Sequence, residues 1–179
     1  PKIDNMKRKN LLDYVFTPID FLLDTRKVVQ VNPTVIPERK ESGVVTAINV
    51  YEYEKEKMDA HILKEVKDCF PYLQSKSNTW INVDGLKKDE VEELCLHYNI
   101  HPLIVEDILS VGQRAKTDEI NGLVFCLLNM LYFNEDDSSL ETEQVSIILG
   151  KNYVISFQED ARRDVFNPLR ERLKVNASK

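Results

Sequence analysis

KTDEINGLVFCLLNMLYF, residues 116–133, decides how this chain is read. Asn121-Gly122 stands between two strand-like runs. A two-residue connection of this kind needs positive φ, which asparagine and glycine tolerate, so the spacing predicts a β-hairpin. The run that follows, Leu123 to Phe133, is apolar at odd and even positions alike, with Asn129 inside it. It is therefore expected as a central strand covered on both faces, with helices flanking the sheet. Asn134 to Ser139 reads as a polar loop. Gln144–Leu149 and Tyr153–Phe157 then read as strands around a tight turn at Gly150-Lys151-Asn152, which completes an antiparallel meander.

Upstream the pattern changes. Val44 to Tyr53 is β-branched and aromatic, a strand expected to pair with Val28 to Val31. Met58, Ile62, Val66, Cys69 and Phe70 recur at three and four, which predicts an amphipathic helix stopped by Pro71. After a strand around Trp80, Asp84-Gly85 turns the chain into a second helix. Its Val91, Leu94, Cys95 and Tyr98 share a face, and it ends near Asn99. His101-Pro102 opens a third, because proline is tolerated at the first helical position, and Gly112 closes it. A last helix is expected from about 164–168, burying Val165 or Phe166, Leu169 and Leu173 and exposing Arg170, Arg172 and Lys174. Residues 1–42 mix apolar runs with turn formers and read as an irregular, strand-rich lead-in. With no repeat or linker, the order β-β-α-β-α-α-β-β-β-β-α implies one domain over 1–179. The expected architecture is α/β, a three-layer α/β/α sandwich around a mixed, largely antiparallel sheet.

Composition narrows the function. A net charge of -6 argues against a protein that tracks nucleic-acid phosphates and favours cations as partners. Cys69, Cys95 and Cys126 are scattered without any CxxC, and read as buried thiols in a reducing compartment. GxSxG, GxGxxG and GxxxxGK[ST] are all missing, so no enzyme is expected. Leu123–Phe133 is too short for the roughly 20 residues of a spanning helix. Met6-Lys7-Arg8-Lys9 precedes an apolar stretch, but Asp13, Asp20 and Asp24 interrupt it, against a signal peptide. Pro1 in place of Met, and the ending at 175–179, suggest an excised piece of a longer chain.

A set of unusual choices in fixed order runs through the second half. It comprises Trp80-Ile81-Asn82-Val83, Ile100-His101-Pro102-Leu103, Glu106-Asp107-Ile108-Leu109, Gln113-Arg114 with Lys116, and Glu143-Gln144-Val145-Ser146. Lys151-Asn152, Phe157-Gln158-Glu159, Val165-Phe166 and Pro168-Leu169-Arg170-Glu171-Arg172 complete it. In these motifs the chain resembles the CorA magnesium transporters over its last hundred or so residues; the first seventy resemble them in pattern alone. Ala115 departs from the proline that the family often carries there.

The resemblance implies the same three-layer fold and a domain on the cytoplasmic side of the cell's inner membrane. It also implies assembly with other copies of the chain as a homopentamer, and attachment to the membrane through stalk and transmembrane helices that this chain lacks. Asp107 is then expected to bind Mg2+ against a neighbouring subunit's stalk helix, with Glu106 helping to form a second metal site nearby. Loss of cytosolic Mg2+ would open the pore. The cargo implied is Mg2+, with Co2+ as a further one, and a related zinc transporter would share the fold.

The residues themselves leave other readings open. Glu106 and Asp107 are adjacent on a helix and point about 100° apart, so each serves a separate partner. They could equally form the solvated side of a helix whose Leu103, Ile104 and Ile108 pack inward. A stand-alone metal-sensing or protein-interaction module would carry the same features. His97 and His101 have i, i+4 spacing, but Asn99 and Pro102 break the helix between them, so zinc is disfavoured and His101 is expected to cap or pack. Glu135-Asp136-Asp137 lacks the pattern of a calcium loop. Arg162-Arg163 with Arg170 and Arg172 form a small basic cluster, and Trp80 reads as a core anchor.

Overall fold

The computed structural model describes residues 46–177 except 56, 111, 135–138 and 162–163. The lead-in, the Glu135-Asp136-Asp137 tip and Arg162-Arg163 lie outside the described residues.

Among the described residues the sheet holds seven strands: β1 Ala47–Tyr53, β2 Met58–Leu63, β3 Asn78–Asp84, β4 Lys116–Ile120, β5 Leu123–Asn134, β6 Ser139–Leu149 and β7 Tyr153–Gln158. Their order is β2-β1-β3-β7-β6-β5-β4. Two antiparallel blocks meet at the parallel pair β3 and β7, where Ile81 stands opposite Ile155 and Val83 opposite Phe157. Strand alternation sends Ile48, Val50, Ile81, Val83, Phe125, Ile148, Ile155 and Phe157 to one face, all buried. A 3-10 helix, Val66–Gln74, with α1 Lys88–His97 and α2 Pro102–Leu109, closes over that face. These elements bring Val66, Cys69, Val91, Leu94, Cys95, Ile104 and Ile108 into the same core. On the opposite face α3, Asn167–Ala177, lies by Tyr51 and Trp80. The three-layer α/β/α arrangement follows.

The local turn chemistry appears where expected. Asn121 and Gly122 have φ of 55° and 76°, Gly85 takes 89° at the end of β3, and Asn99 takes 52° just past α1. Gly150 is needed for space instead, since a Cβ there would sit 2.4 Å from the Tyr153 ring.

Four expectations are corrected. The predicted helix from Met58 is an edge strand followed by the 3-10 helix, with Pro71 inside the latter. Ile62 is 86% exposed while Val66 and Cys69 are buried, so the apparent stripe is split between two elements; hydrogen bonding to the open edge of β1 outweighed helical spacing over Met58–Leu63. Both edges of β1 are taken by β2 and β3, and the expected partner at Val28–Val31 lies outside the described residues. β5 is the penultimate strand, not a doubly covered central one: Val124 and Leu128 are partly exposed on the face away from α2, and Leu131 and Phe133 project at its far end. In α3, Arg170 is buried and Leu169 exposed, the reverse of what was expected for these two, while Arg172 and Lys174 are exposed as expected. The Arg170 guanidinium sits 5.4 Å from the Trp80 ring centre and 5.7 Å from that of Tyr51, and it pairs with Asp164, so its charge is met where it is buried.

Cys69 and Cys95 are fully buried free thiols, and burial pushes both up to about 12; Cys126 is only half-buried. Trp80 anchors the second face, where its Nε1 donates to Ser156 Oγ at 2.8 Å. Ser156 Oγ donates to Asn82 Oδ1 at 2.7 Å, and Asn82 Nδ2 to Asp84 Oδ2 at 2.9 Å.

Burial raises the Asp84 carboxyl above its ordinary range, against the pull of the Asn82 amide and Arg170. Burial raises Glu143 likewise, against hydrogen bonds from the backbone of Asp160 and Glu159 and from Tyr132. Raised carboxyls bind protons more tightly in the folded chain. Their contribution to stability is therefore full below the unfolded value, near pH 4, and is lost as pH rises through the raised values. Asp84→Asn is expected to raise the melting temperature at pH 7, with the gain shrinking to nothing as wild type itself protonates below about pH 4. Thermal unfolding followed by circular dichroism across that range checks it; a gain independent of pH would rule out titration of Asp84 as the cause.

Candidate functional site

Helix α2 is short, and its ends are specified locally. His101 Nδ1 accepts from the Leu103 N–H at 3.2 Å, Pro102 occupies the first turn, and the Ser110 N–H returns to the Glu106 carbonyl at 2.8 Å. Ile104 and Ile108, one turn apart and fully buried, set the rotation of the helix against the sheet. Leu103, expected inward, is 57% exposed because that rotation turns it to solvent.

The same rotation separates the two candidate ligands. Glu106 is exposed and lines a cleft of about 610 Å3 between α1 and α2, with Lys88, Glu92, Leu96, Pro102 and Val105. Asp107 turns toward β4. Its Oδ2 lies 2.6 Å from Lys116 Nζ, and its side chain is 17% exposed. Lys116 Nζ is also 3.3 Å from Asp118 Oδ2. The Asp107 carboxylate, with help from Asp118, holds the Lys116 ammonium above its usual range.

Two amides that sequence reasoning did not single out as site residues support this corner. Gln144 Nε2 donates to the Asp107 carbonyl oxygen at 3.0 Å, and Asn129 Nδ2 donates to the Gln113 carbonyl at 3.1 Å. Asn129 and Gln144 stand opposite each other on β5 and β6. The pair satisfies backbone acceptors at the end of α2 and in the loop leading to β4. The signal that could have found them is Asn129, a polar residue inside the apolar Leu123–Phe133 run, with Gln144 opposite it.

Other candidates are committed elsewhere. His97 stacks on Phe70, with ring centres 3.8 Å apart, and its Nε2 lies 3.3 Å from the Phe70 carbonyl oxygen. His101 caps α2, so the two histidines do not form a zinc pair. His61 lies 3.7 Å from a Glu52 carboxylate oxygen. Among the described residues no three His, Cys, Asp or Glu side chains gather as a metal shell. Asp107 and Asp118 nevertheless hold one cationic group between them. Two carboxylates around a positive charge are the donors Mg2+ takes when it keeps most of its waters. Asp107 and Asp118 are therefore the residues of this corner that could hold a hard cation.

Residues 75–179 match the family model of the CorA-like Mg2+ transporter protein. The chain is 40% identical over 130 residues to the cobalt/magnesium transport protein CorA of Thermotoga maritima, across 72% of this chain and 37% of that protein. Its fold is similar to that of the full-length CmaX protein, with a TM-score of 0.57 at 12% identity over 77% of this chain and 42% of the other. It is also similar to the ZntB cytoplasmic domain from Vibrio parahaemolyticus, with a TM-score of 0.54 at 13% identity over 75% and 52%. Among the described residues no helix is long and apolar enough to cross a membrane.

Proposed function

This chain belongs to the family of CorA-like Mg2+ transporter proteins, and we propose that it is the cytoplasmic regulatory domain of a divalent-cation channel, in which Asp107 and Glu106 report cytosolic Mg2+ at the boundary between subunits. The chain spans 37% of the length of its CorA relative, so the pore, the membrane helices and the homopentameric assembly belong to the proposal. The observation that carries the reading is the placing of Asp107. It is a partly accessible carboxylate near the end of α2, held beside a cationic group that Asp118 also faces. Such a group becomes a good Mg2+ ligand when another subunit adds oxygen donors.

The energetics suit a gate. Two carboxylates about 4 Å apart across a subunit boundary repel by about 4 kcal/mol at an effective dielectric near 20. With a divalent cation held between them, Asp107 and its counterpart attract instead, and the boundary stays shut. When cytosolic Mg2+ falls, that bridge is lost and the subunits are free to move. Glu106, which lines the cleft beside α1, then helps to form a second metal site near the same boundary. The cargo is Mg2+, with Co2+ as a further one.

The parent transporter in liposomes tests this. Asp107→Ala is expected to keep conducting at cytosolic-side Mg2+ concentrations that close wild type. Equal closure of both would overturn the reading. On this chain alone Mg2+ binding should be weak; calorimetry showing micromolar binding that survives Asp107→Ala would sink the interface model.

A further inference from the structure

Lys116 places an ammonium where a cation would sit. Its Nζ lies 2.6 Å from Asp107 on α2 and 3.3 Å from Asp118 on its own strand, so carboxylates of two elements converge on one positive charge. Lys116 and Asp118 are two apart on β4 and therefore share a side of the strand. The seat is open to solvent ions: the side chains of Asp118 and Lys116 are 43% and 37% exposed.

Resting on the reading of Asp107 as a cation ligand, we propose that Lys116 is a tethered competitor for that site, and that Asp118 is a second carboxylate of the same seat. With the seat filled by the ammonium, Asp107 is neutralised and the corner is stable without metal. A divalent cation enters when Lys116 swings out on its flexible four-carbon stem. Partial exposure lets the ammonium recover water as it leaves, so the exchange needs no unfolding. The incoming ion brings two charges to the two carboxylates in place of one, but it has to give up tightly held water. These opposing effects leave a weak site whose threshold is set by the lysine. Removing the lysine charge then strengthens the site, and removing Asp107 abolishes the effect of the lysine.

Titration of this chain with MnCl2 and MgCl2 tests the proposal, read by calorimetry and by Mn2+ broadening of amide signals in 1H–15N spectra. Lys116→Met is expected to tighten Mn2+ binding about tenfold, the scale of removing one nearby charge from a dication site. Broadening should centre on Asp107 and Asp118. Lys116→Arg, which keeps the charge, should bind as wild type does, and Lys116→Met combined with Asp107→Asn should lose the gain. Thermal melts confirm folding, and Lys116→Gln serves if the methionine variant is unfolded.

Unchanged affinity in Lys116→Met, alongside weaker binding in Asp107→Asn, overturns the competitor and leaves Asp107 a ligand. Tighter binding in Lys116→Met that Asp107→Asn does not reverse overturns the shared seat. If neither substitution alters Mn2+ binding, the competitor and the reading of Asp107 as a ligand in this chain fall together.

Discussion

Arg170→Met is expected to destabilise the fold by about 3 kcal/mol, the low end of the cost of removing one partner from a buried ion pair. Arg170 is 6% exposed in a helix that otherwise shows solvent its Leu169, Glu171 and Arg172. Its guanidinium joins three things: the Asp164 carboxylate just before α3, the Tyr51 ring on β1 and the Trp80 ring on β3. Methionine keeps much of the volume against the rings, but it strands Asp164 and removes the positive charge that offsets the buried Asp84. Asp164 retains some water, with a side chain 25% exposed, which holds the effect to the lower end. Arg170→Lys should recover part of the loss, since it restores charge but not the planar fork. Urea unfolding checks the series. A loss below about 1 kcal/mol for Arg170→Met, the level of an exposed pair, would mean that α3 is not held by this residue.

Phe125→Ala is expected to cost about 3–5 kcal/mol, the usual toll of emptying a large, fully buried aromatic site. Phe125 has no exposure and belongs to the same core as Ile104 and Ile108 of α2, opposite Ile148 on β6 and Asp118 on β4. The cavity would open beneath the helix that carries Asp107, so the contact between Asp107 and Lys116 should loosen with it. Phe133, on the same strand, is 64% exposed, and Phe133→Ala is expected to stay within about 0.5 kcal/mol. Equal effects from the two substitutions, measured by urea unfolding, would contradict the placement of β5 near the sheet edge with one end under α2.

Much of the site was legible before any coordinates. Asn121-Gly122, His101-Pro102 and Asn99 each act through their own backbone dihedrals or an adjacent N–H, and each appears where the residue type demanded. The divergence of Glu106 and Asp107 is also local, since neighbours on a helix point apart whatever surrounds them. The pairing of Asp107 with Lys116 was not legible, because it depends on how the 110–115 loop folds back to β4. Gln144 reaches Asp107 from a strand far along the chain, and nothing near either residue announces the contact.

The misread segments share one cause. Met58 to Leu63 carries helical spacing yet pairs with β1, and Arg170 looks like a surface residue yet is buried. Turn positions, helix starts, family membership and the identity of the candidate ligands came from the residue order alone, because steric and capping preferences act within a few residues. Strand pairing at the sheet edge, the rotation of α3 and the cation already seated at Asp107 were settled by the assembled fold. Those depend on which hydrogen-bonding edge, aromatic face or counter-charge arrives from elsewhere in the chain, and local spacing carries no record of it.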